Sequence, residues 1–315
     1  MFNILKIYIW VITLSFCFNV LGQSNNKHYN KAINHSLNEN IEGALNSINM
    51  AIDSKKNKVP PVFYFRKYEY LIKLQKFKLA IQTLNDAIYI LSNSTLLLNA
   101  RAEFYFALKM YRKSILDYKK IITLVKAKEL IHYKIKLAGT KFLVRDFNDV
   151  ALILKEILEK DSSNIDVLNL LAVLHVELLN YTKAKEILLN IISKYPSHFS
   201  TIINLGFVYQ KENQHKKAIS CFNKALKLSP KNPIALSNRA YSKLETLNID
   251  EAISDVNQSI HLLQSNSYAY MIKGKIFLKL NETKKACVNF SIAKNLKFSE
   301  QYGAEVDKLI NKNCK

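Results

Sequence analysis

The chain has 315 residues, 49% of them hydrophobic, with 46 Lys plus Arg against 25 Asp plus Glu and a formal charge of +21. It can therefore bury a large core, and disorder and collagen are excluded. With only 6 Gly and 5 Pro, turn formers are too few for an all-β domain, and a helical chain is expected.

Every basic residue except Arg66, Arg101, Arg112, Arg145 and Arg239 is Lys, and Asn and Ile are abundant. AT-rich coding produces such a composition. The charge speaks first to solubility and non-specific binding, and second to nucleic acid or an anionic surface.

Residues 1–22, MFNILKIYIWVITLSFCFNVLG, place Lys6 before an apolar core from Ile7 to Val20, with small residues Val20 and Gly22 ahead of polar QSNNKH. This is a secretory signal peptide pattern with a cut after Gly22. The core is shorter than the ~20 residues of a membrane-spanning helix, which makes an uncleaved anchor the lesser reading. Cys17 follows Leu14 and Ser15 as in a lipoprotein signal, but Phe16 stands where that signal needs a small residue. The mature part is expected in the periplasm or outside the cell, with outer-membrane association left open.

From residue 25 the chain repeats every 34 residues, and such periods mark stacked repeat units. The weakest copy, 25–58, keeps Ala32, Ala44, Ile48 and Ala51; 61–94 keeps Tyr64, Leu71, Ala80, Leu84 and Ala87. Copies 95–128 (Leu98, Ala102, Tyr105, Ser114, Tyr118, Ile121) and 131–164 (Leu137, Ala138, Val150, Leu154, Ile157) diverge. Copy 165–198 carries Leu171, Ala172, Ala184, Leu188, Ile191 and Pro196. Copy 199–232 carries Leu205, Gly206, Tyr209, Ala218, Phe222, Ala225 and Pro230 at positions 7, 8, 11, 20, 24, 27 and 32. Copy 233–266 keeps Ala240 and Ala252 but has Lys243 at the aromatic position 11, and 267–300 carries Tyr270, Gly274, Phe277, Ala286, Phe290 and Ala293. The insertions Val59–Pro60 and Glu129–Leu130 fall between copies, where loops are expected to absorb them.

Apolar residues at 4, 7, 8 and 11 share one face of a first helix, and those at 20, 24 and 27 one face of a second. Small residues at 8 and 20 let the two helices approach closely where they cross. Pro196 and Pro230 stop second helices. One hairpin cannot bury its own stripe, so neighbours must stack.

Copy 199–232 resembles a tetratricopeptide repeat at every signature position except the Trp at 4, here Ile202. The resemblance covers nearly the whole mature chain and implies an all-α, right-handed superhelical solenoid of about eight helix-turn-helix units. Residues 301–315 are expected to add a capping helix, in which Val306, Leu309 and Ile310 cover the end of the stack. The terminal stretch ACVNFSIAKNL followed by NKNCK is similar to exported repeat proteins of the Bacteroidetes.

No His pair has metal-ligand spacing, and no G-x-G-x-x-G or G-x-S-x-G occurs. His175 occupies the apolar position 11 of its unit, which favours a packed histidine over a catalytic one. Neither enzyme chemistry, metal nor cofactor is expected.

The resemblance implies a concave groove made by first helices, with positions 2, 5, 9 and 12 facing into it. Of these 32 positions 19 are apolar or aromatic, while Glu69, Glu103 and Asp166 against Lys275 leave a net charge of −2. The candidate groove residues are Phe65, Glu69, Asn99, Glu103, Phe106, Ile135, Asn169, Val173, Ile203, Phe207, Tyr241 and Met271. Nucleic acid is disfavoured, because its groove would concentrate Lys and Arg among aromatics. Asn99 and Asn169 could bind a peptide backbone, but the Lys partners of a terminal-carboxylate clamp are missing from those positions.

The function expected is a non-catalytic adaptor that binds a peptide or helical segment of another protein. The alternative is an envelope-surface protein whose Lys-rich convex face holds anionic lipid or polysaccharide. An exported chain would keep Cys221, Cys287 and Cys314 in an oxidising compartment. Cys287 and Cys314 fall at the same end of adjacent antiparallel helices and are expected to form a disulfide, whereas Cys221, two units away, stays free.

Overall fold

The computed structural model describes residues 26–55 and 58–314; the signal-peptide expectation for 1–22 lies outside the described residues. Those residues form eighteen α-helices and no strand. In the first compact unit, which ends at Lys160, the helices are α1 (Lys27–Leu37), α2 (Ile41–Asp53), α3 (Pro61–Lys73), α4 (Phe77–Ile90), α5 (Thr95–Ala107), α6 (Tyr111–Ile122), α7 (Ala127–Leu143) and α8 (Phe147–Lys160). In the second unit, which begins at Asp161, they are α9 (Ile165–Glu177), α10 (Tyr181–Lys194), α11 (Phe199–Lys211), α12 (His215–Leu228), α13 (Pro233–Glu245), α14 (Ile249–Leu262), α15 (Ser267–Lys279), α16 (Thr283–Asn295), α17 (Phe298–Tyr302) and α18 (Glu305–Asn313).

Helices α1–α16 pair consecutively into eight hairpins, each closed by the same turn. Position 15 is left-handed in all eight: Glu39, Gln75, Lys109, Arg145, Leu179, Asn213, Leu247 and Asn281 have φ between 57° and 65°. The following N–H then donates back to the position-11 carbonyl, as from Lys76 to Leu71 (2.8 Å) or Gln214 to Tyr209 (2.8 Å). This left-handed C-cap usually takes Gly or Asn. Here six of the eight are neither, so each is held by the packing of the hairpin against the local cost of that conformation. The first hairpin, the weakest copy by sequence, has the same turn and buries Ala32, Ala44, Ile48 and Ala51.

Three pairings between the helices of a hairpin recur. Position 8 faces position 24. A Cβ on Gly206 would lie 2.7 Å from Phe222 Cε1, and one on Gly274 would overlap the Phe290 ring, whereas the same two positions are held by Ala138 with the smaller Leu154 and by Ala172 with Leu188. Position 11 faces position 19. Lys113 lies over the Tyr105 ring at 5.4 Å, Lys217 over Tyr209 at 5.6 Å and Lys285 over Phe277 at 5.5 Å. Where position 11 is Lys, position 19 is acidic: Lys141 pairs with Asp149, and Lys243 with Glu251 at 2.9 Å. Lys243 is thus one half of an exchanged pair, with its acid favourably placed in the first turn of α14. Third, Arg101 grips Asp117 through Nε (2.9 Å) and Nη2 (2.7 Å) while Nη1 donates to Asn85 of the preceding hairpin (2.9 Å). Arg239 repeats this on Asp255 (2.7 and 2.6 Å) and Asn223 (2.7 Å).

Two expectations are corrected. Val59–Pro60 lies in a loop, but Glu129–Leu130 is absorbed by α7, a 17-residue helix that starts at Ala127. The sequence AKEL offers no breaker, and Glu129 suits a helix N-terminus. The end cap is not one helix from residue 301. Gly303 takes φ 86° and separates short α17 from α18, and Phe298, unrecognised in the sequence, is fully buried. Val306 is buried, with Leu309 and Ile310 packed on the same cluster. Lys294 pairs with Asp307 at 3.0 Å, and Cys287 is joined to Cys314 as a disulfide with Cα atoms 5.6 Å apart.

Candidate partner-binding groove

In the first unit, α3 packs on α5 as well as on its own partner, so their first-helix faces adjoin. Phe65 is half-buried with its ring 6.2 Å from Tyr68, which in turn meets Phe104 edge-on at 6.2 Å. Phe106, also half-buried, lies 5.4 Å from Tyr111. Glu69 is held by Arg66 at 2.7 Å. Ile135 on α7 keeps part of its surface exposed.

Asn99 and Glu103 do not await a ligand unassisted. Buried Lys136 donates to Glu103 Oε1 (2.5 Å) and Asn99 Oδ1 (3.4 Å), and the Tyr118 hydroxyl donates to the same carboxylate oxygen (2.6 Å). Burial, reinforced by the Glu103 charge, raises the Tyr118 phenol well above its ordinary range. Burial and then the Lys136 charge hold the neighbouring His132 below the usual imidazole value. Counting charge only at positions 2, 5, 9 and 12 missed Lys136, which sits at position 6. A Lys one residue from the groove register and one repeat from a Glu was the available signal.

In the second unit, α9 packs on α11, α11 on α13 and α13 on α15. That contact consumes part of the expected lining. Val173, Ile203 and Met271, predicted to face a partner, are only 9%, 2% and 1% exposed, and Ile203 and Met271 lie within the hydrophobic core. Asn169 is likewise buried; its Nδ2 donates to the Ile165 carbonyl (2.9 Å) and its Oδ1 accepts from Asn204 Nδ2 (3.3 Å). Gln210 spans to the next hairpin by donating to the Asn238 carbonyl (2.6 Å) and Ser242 Oγ (2.8 Å).

Phe207 and Tyr241 remain half-exposed. Lys211 Nζ lies 5.1 Å over the Phe207 ring and Lys275 Nζ 5.4 Å over Tyr241, while Lys275 also pairs with Glu305 of the cap. Burial first, then the charges of Glu245 and Glu305, push the Tyr241 phenol up to about 12. Both units therefore present half-buried aromatics on their first helices, Phe65 and Phe106 in the first and Phe207 and Tyr241 in the second. Among the described residues no group of His, Cys, Asp and Glu is arranged to hold a metal ion, and no helix is long and apolar enough to cross a membrane.

Helical hairpins that repeat at fixed length, with small residues at the helix crossing and one turn geometry throughout, define an α-helical repeat protein. The tetratricopeptide repeat family matches at residues 166–198 and 201–232, and the chain carries tetratricopeptide repeats there. It is 33% identical over 124 residues to anaphase-promoting complex subunit CDC16 of Saccharomyces cerevisiae, a stretch covering 37% of this chain but 15% of that protein. A solved tetratricopeptide repeat protein of Parabacteroides merdae is 16% identical with TM-score 0.51, over 93% of this chain and all of its own. The APC/C hetero-tetramer Cut9-Hcn1 gives 14% identity and TM-score 0.62 over 95% of this chain and 57% of that one. At these identities the likeness to the solved structures is one of fold.

Proposed function

We propose that the protein is a non-catalytic scaffold, exported through a cleaved signal peptide to the periplasm or cell surface, that binds an apolar segment of another protein on its first-helix faces. The observation that carries this is the partial exposure of Phe65, Phe106, Phe207 and Tyr241, aromatics of the kind that dominate binding energy at protein interfaces. A relative named as a subunit of a multiprotein complex supports a partner that is itself protein. The pattern of residues 1–22 supports export, and the pairing of Cys287 with Cys314 suits an oxidising compartment.

Photo-crosslinking in the native host tests this, with a benzophenone amino acid placed at Phe106 or Phe207 and, as a control, at exposed Asn257 of α14. The groove positions are expected to crosslink one discrete protein that the control does not. Phe207→Ala should then weaken that complex by at least ~2 kcal/mol, with a smaller loss of stability than the ~3–5 kcal/mol of a fully buried Phe. Crosslinks from Asn257 alone, or a large fall in stability with unchanged binding, would remove the groove from the account.

A further inference from the structure

The α5–α6 turn and helix α6 expose a basic surface. Arg112, Lys113, Lys119 and Lys120 are all exposed, and at 100° per residue they share an arc of ~120° along ~12 Å of helix axis. Lys109 in the turn adds a fifth positive charge. The acid on α6, Asp117, is buried and already neutralised by Arg101 at 2.7 Å. Asp146, whose charge interacts with Lys119, is itself paired with Lys141 at 2.6 Å. None of Lys109, Arg112, Lys113, Lys119 and Lys120 forms a direct ion pair among the described residues.

Aliphatic side chains protrude from the same surface. Leu116, at the centre of the arc, is 67% exposed, and Leu108 and Met110 in the turn are 55% and 38% exposed. Second helices α8 and α14 differ in charge, α8 with Lys155 beside Glu159 and α14 opening with Asp250 and Glu251; α12 shares a basic arc of exposed Lys216, Lys217, Lys224 and Lys227, but Ser220 stands at its centre where α6 has Leu116.

We propose that this face docks peripherally on a bilayer containing anionic phospholipid. Charge complementarity selects the headgroups, since basic residues near an anionic leaflet are drawn to it within a Debye length. The aliphatic tips select a bilayer over a soluble polyanion, because exposed Leu and Met gain only where an apolar phase lies behind the anionic layer. A surface for single-stranded nucleic acid would instead call for aromatic platforms, and Tyr105 beside this face is already covered by Lys113. The proposal uses none of the groove residues and stands whether or not the groove holds a partner.

The test is co-sedimentation of the full chain with vesicles of phosphatidylcholine alone or with about one-third phosphatidylglycerol. Neutral vesicles report any partition through residues 1–22, so the difference between the two compositions is the quantity read. Lys119→Gln with Lys120→Gln should lower that difference ~30-fold, at roughly fivefold per charge. Leu116→Ser should lower it about fivefold, and Lys155→Gln on α8 should leave it unchanged. Partition of the double variant equal to that of the unmodified chain would overturn the proposal. So would a Leu116→Ser chain that sediments normally while the double variant loses vesicles and duplex DNA in equal measure, since the face would then bind polyanions without regard to lipid.

Discussion

Adding one methyl group at Gly206 tests how closely α11 and α12 approach. In an unconstrained helix, Gly→Ala stabilises by about 1 kcal/mol. Here the new Cβ would lie 2.7 Å from Phe222 Cε1, 2.9 Å from Cζ and 3.1 Å from Cys221 Cβ, against a comfortable carbon contact of about 3.5 Å. The ring must therefore retreat by ~0.8 Å. Phe222 is fully buried, so it cannot move without displacing its neighbours, and overpacking of this kind costs up to ~3 kcal/mol. Overpacking outweighs propensity, and Gly206→Ala should be net destabilising by about 1–2 kcal/mol. Phe222→Leu alone should also destabilise, by opening a cavity. The double variant recreates the Ala–Leu pairing of Ala138 with Leu154 and of Ala172 with Leu188, and should be more stable than the sum of the singles by at least ~1 kcal/mol. Urea unfolding gives the magnitudes, and hydrogen exchange in α11 and α12 localises them within an array whose hairpins need not unfold together. A rise in stability for Gly206→Ala alone would refute the close approach.

Arg101→Gln leaves Asp117 buried with no other cation paired to it among the described residues and should cost about 3 kcal/mol; Arg239→Gln should cost clearly less, because Lys243 remains 2.9 Å from Asp255, and hydrogen exchange in α6 and α14 compares the two. His132, His175 and His198 are each held below the ordinary 6.5, first by burial. The unfolded chain therefore binds more protons, so stability is full above 6.5 and declines as pH falls through that value; urea midpoints at about pH 7.5 and about pH 5.5 should differ accordingly, and His132→Gln should shrink the difference. Denatured, unreduced protein lacking residues 1–22 should titrate one reactive thiol, Cys221, and three would dismiss the bridge; closing a loop between residues 27 apart should stabilise the cap by roughly 3–4 kcal/mol. In the native state Cys221 should resist alkylation until strongly alkaline pH, because burial pushes its thiol to about 11.

The hairpins were legible because their core positions obey local rules. Ala218, Phe222 and Ala225 recur on one helical face, and that face must be buried whatever follows it. The turn was less visible, since position 15 carries Glu, Gln, Lys, Arg or Leu in six of eight hairpins and only the backbone reveals that it is left-handed. Groove assignments failed at Val173, Ile203 and Met271 for a different reason. Whether a residue on a first helix faces a partner or the next first helix depends on how tightly successive hairpins pack, and a 34-residue ruler carries no information about that spacing. Residues with bulk at positions 5, 9 and 12 stay half-exposed only where the neighbour leaves room, as at Phe106 and Phe207. The Gly303 break is not legible in the sequence, because a lone Gly inside a helical pattern does not by itself end a helix.

The departures from the repeat signature carry information of their own. Tyr105 and Lys113 in the third hairpin are followed by Lys141 and Asp149 in the fourth; Tyr209 and Lys217 in the sixth are followed by Lys243 and Glu251 in the seventh, and then by Phe277 and Lys285 in the eighth. Adjacent hairpins with such a pair therefore use opposite versions of it. If α7 paired with α6 instead of α8, Lys141 would face Lys113; if α13 paired with α12 or α16, Lys243 would face Lys217 or Lys285. Like charges at these contacts disfavour the wrong pairing, whereas the correct one gains a cation–π contact or an ion pair. An array of similar hairpins is prone to misassembly between neighbours during folding. The alternation supplies a local discriminator against it, at positions where the repeat consensus alone would make every second helix an acceptable partner for every first.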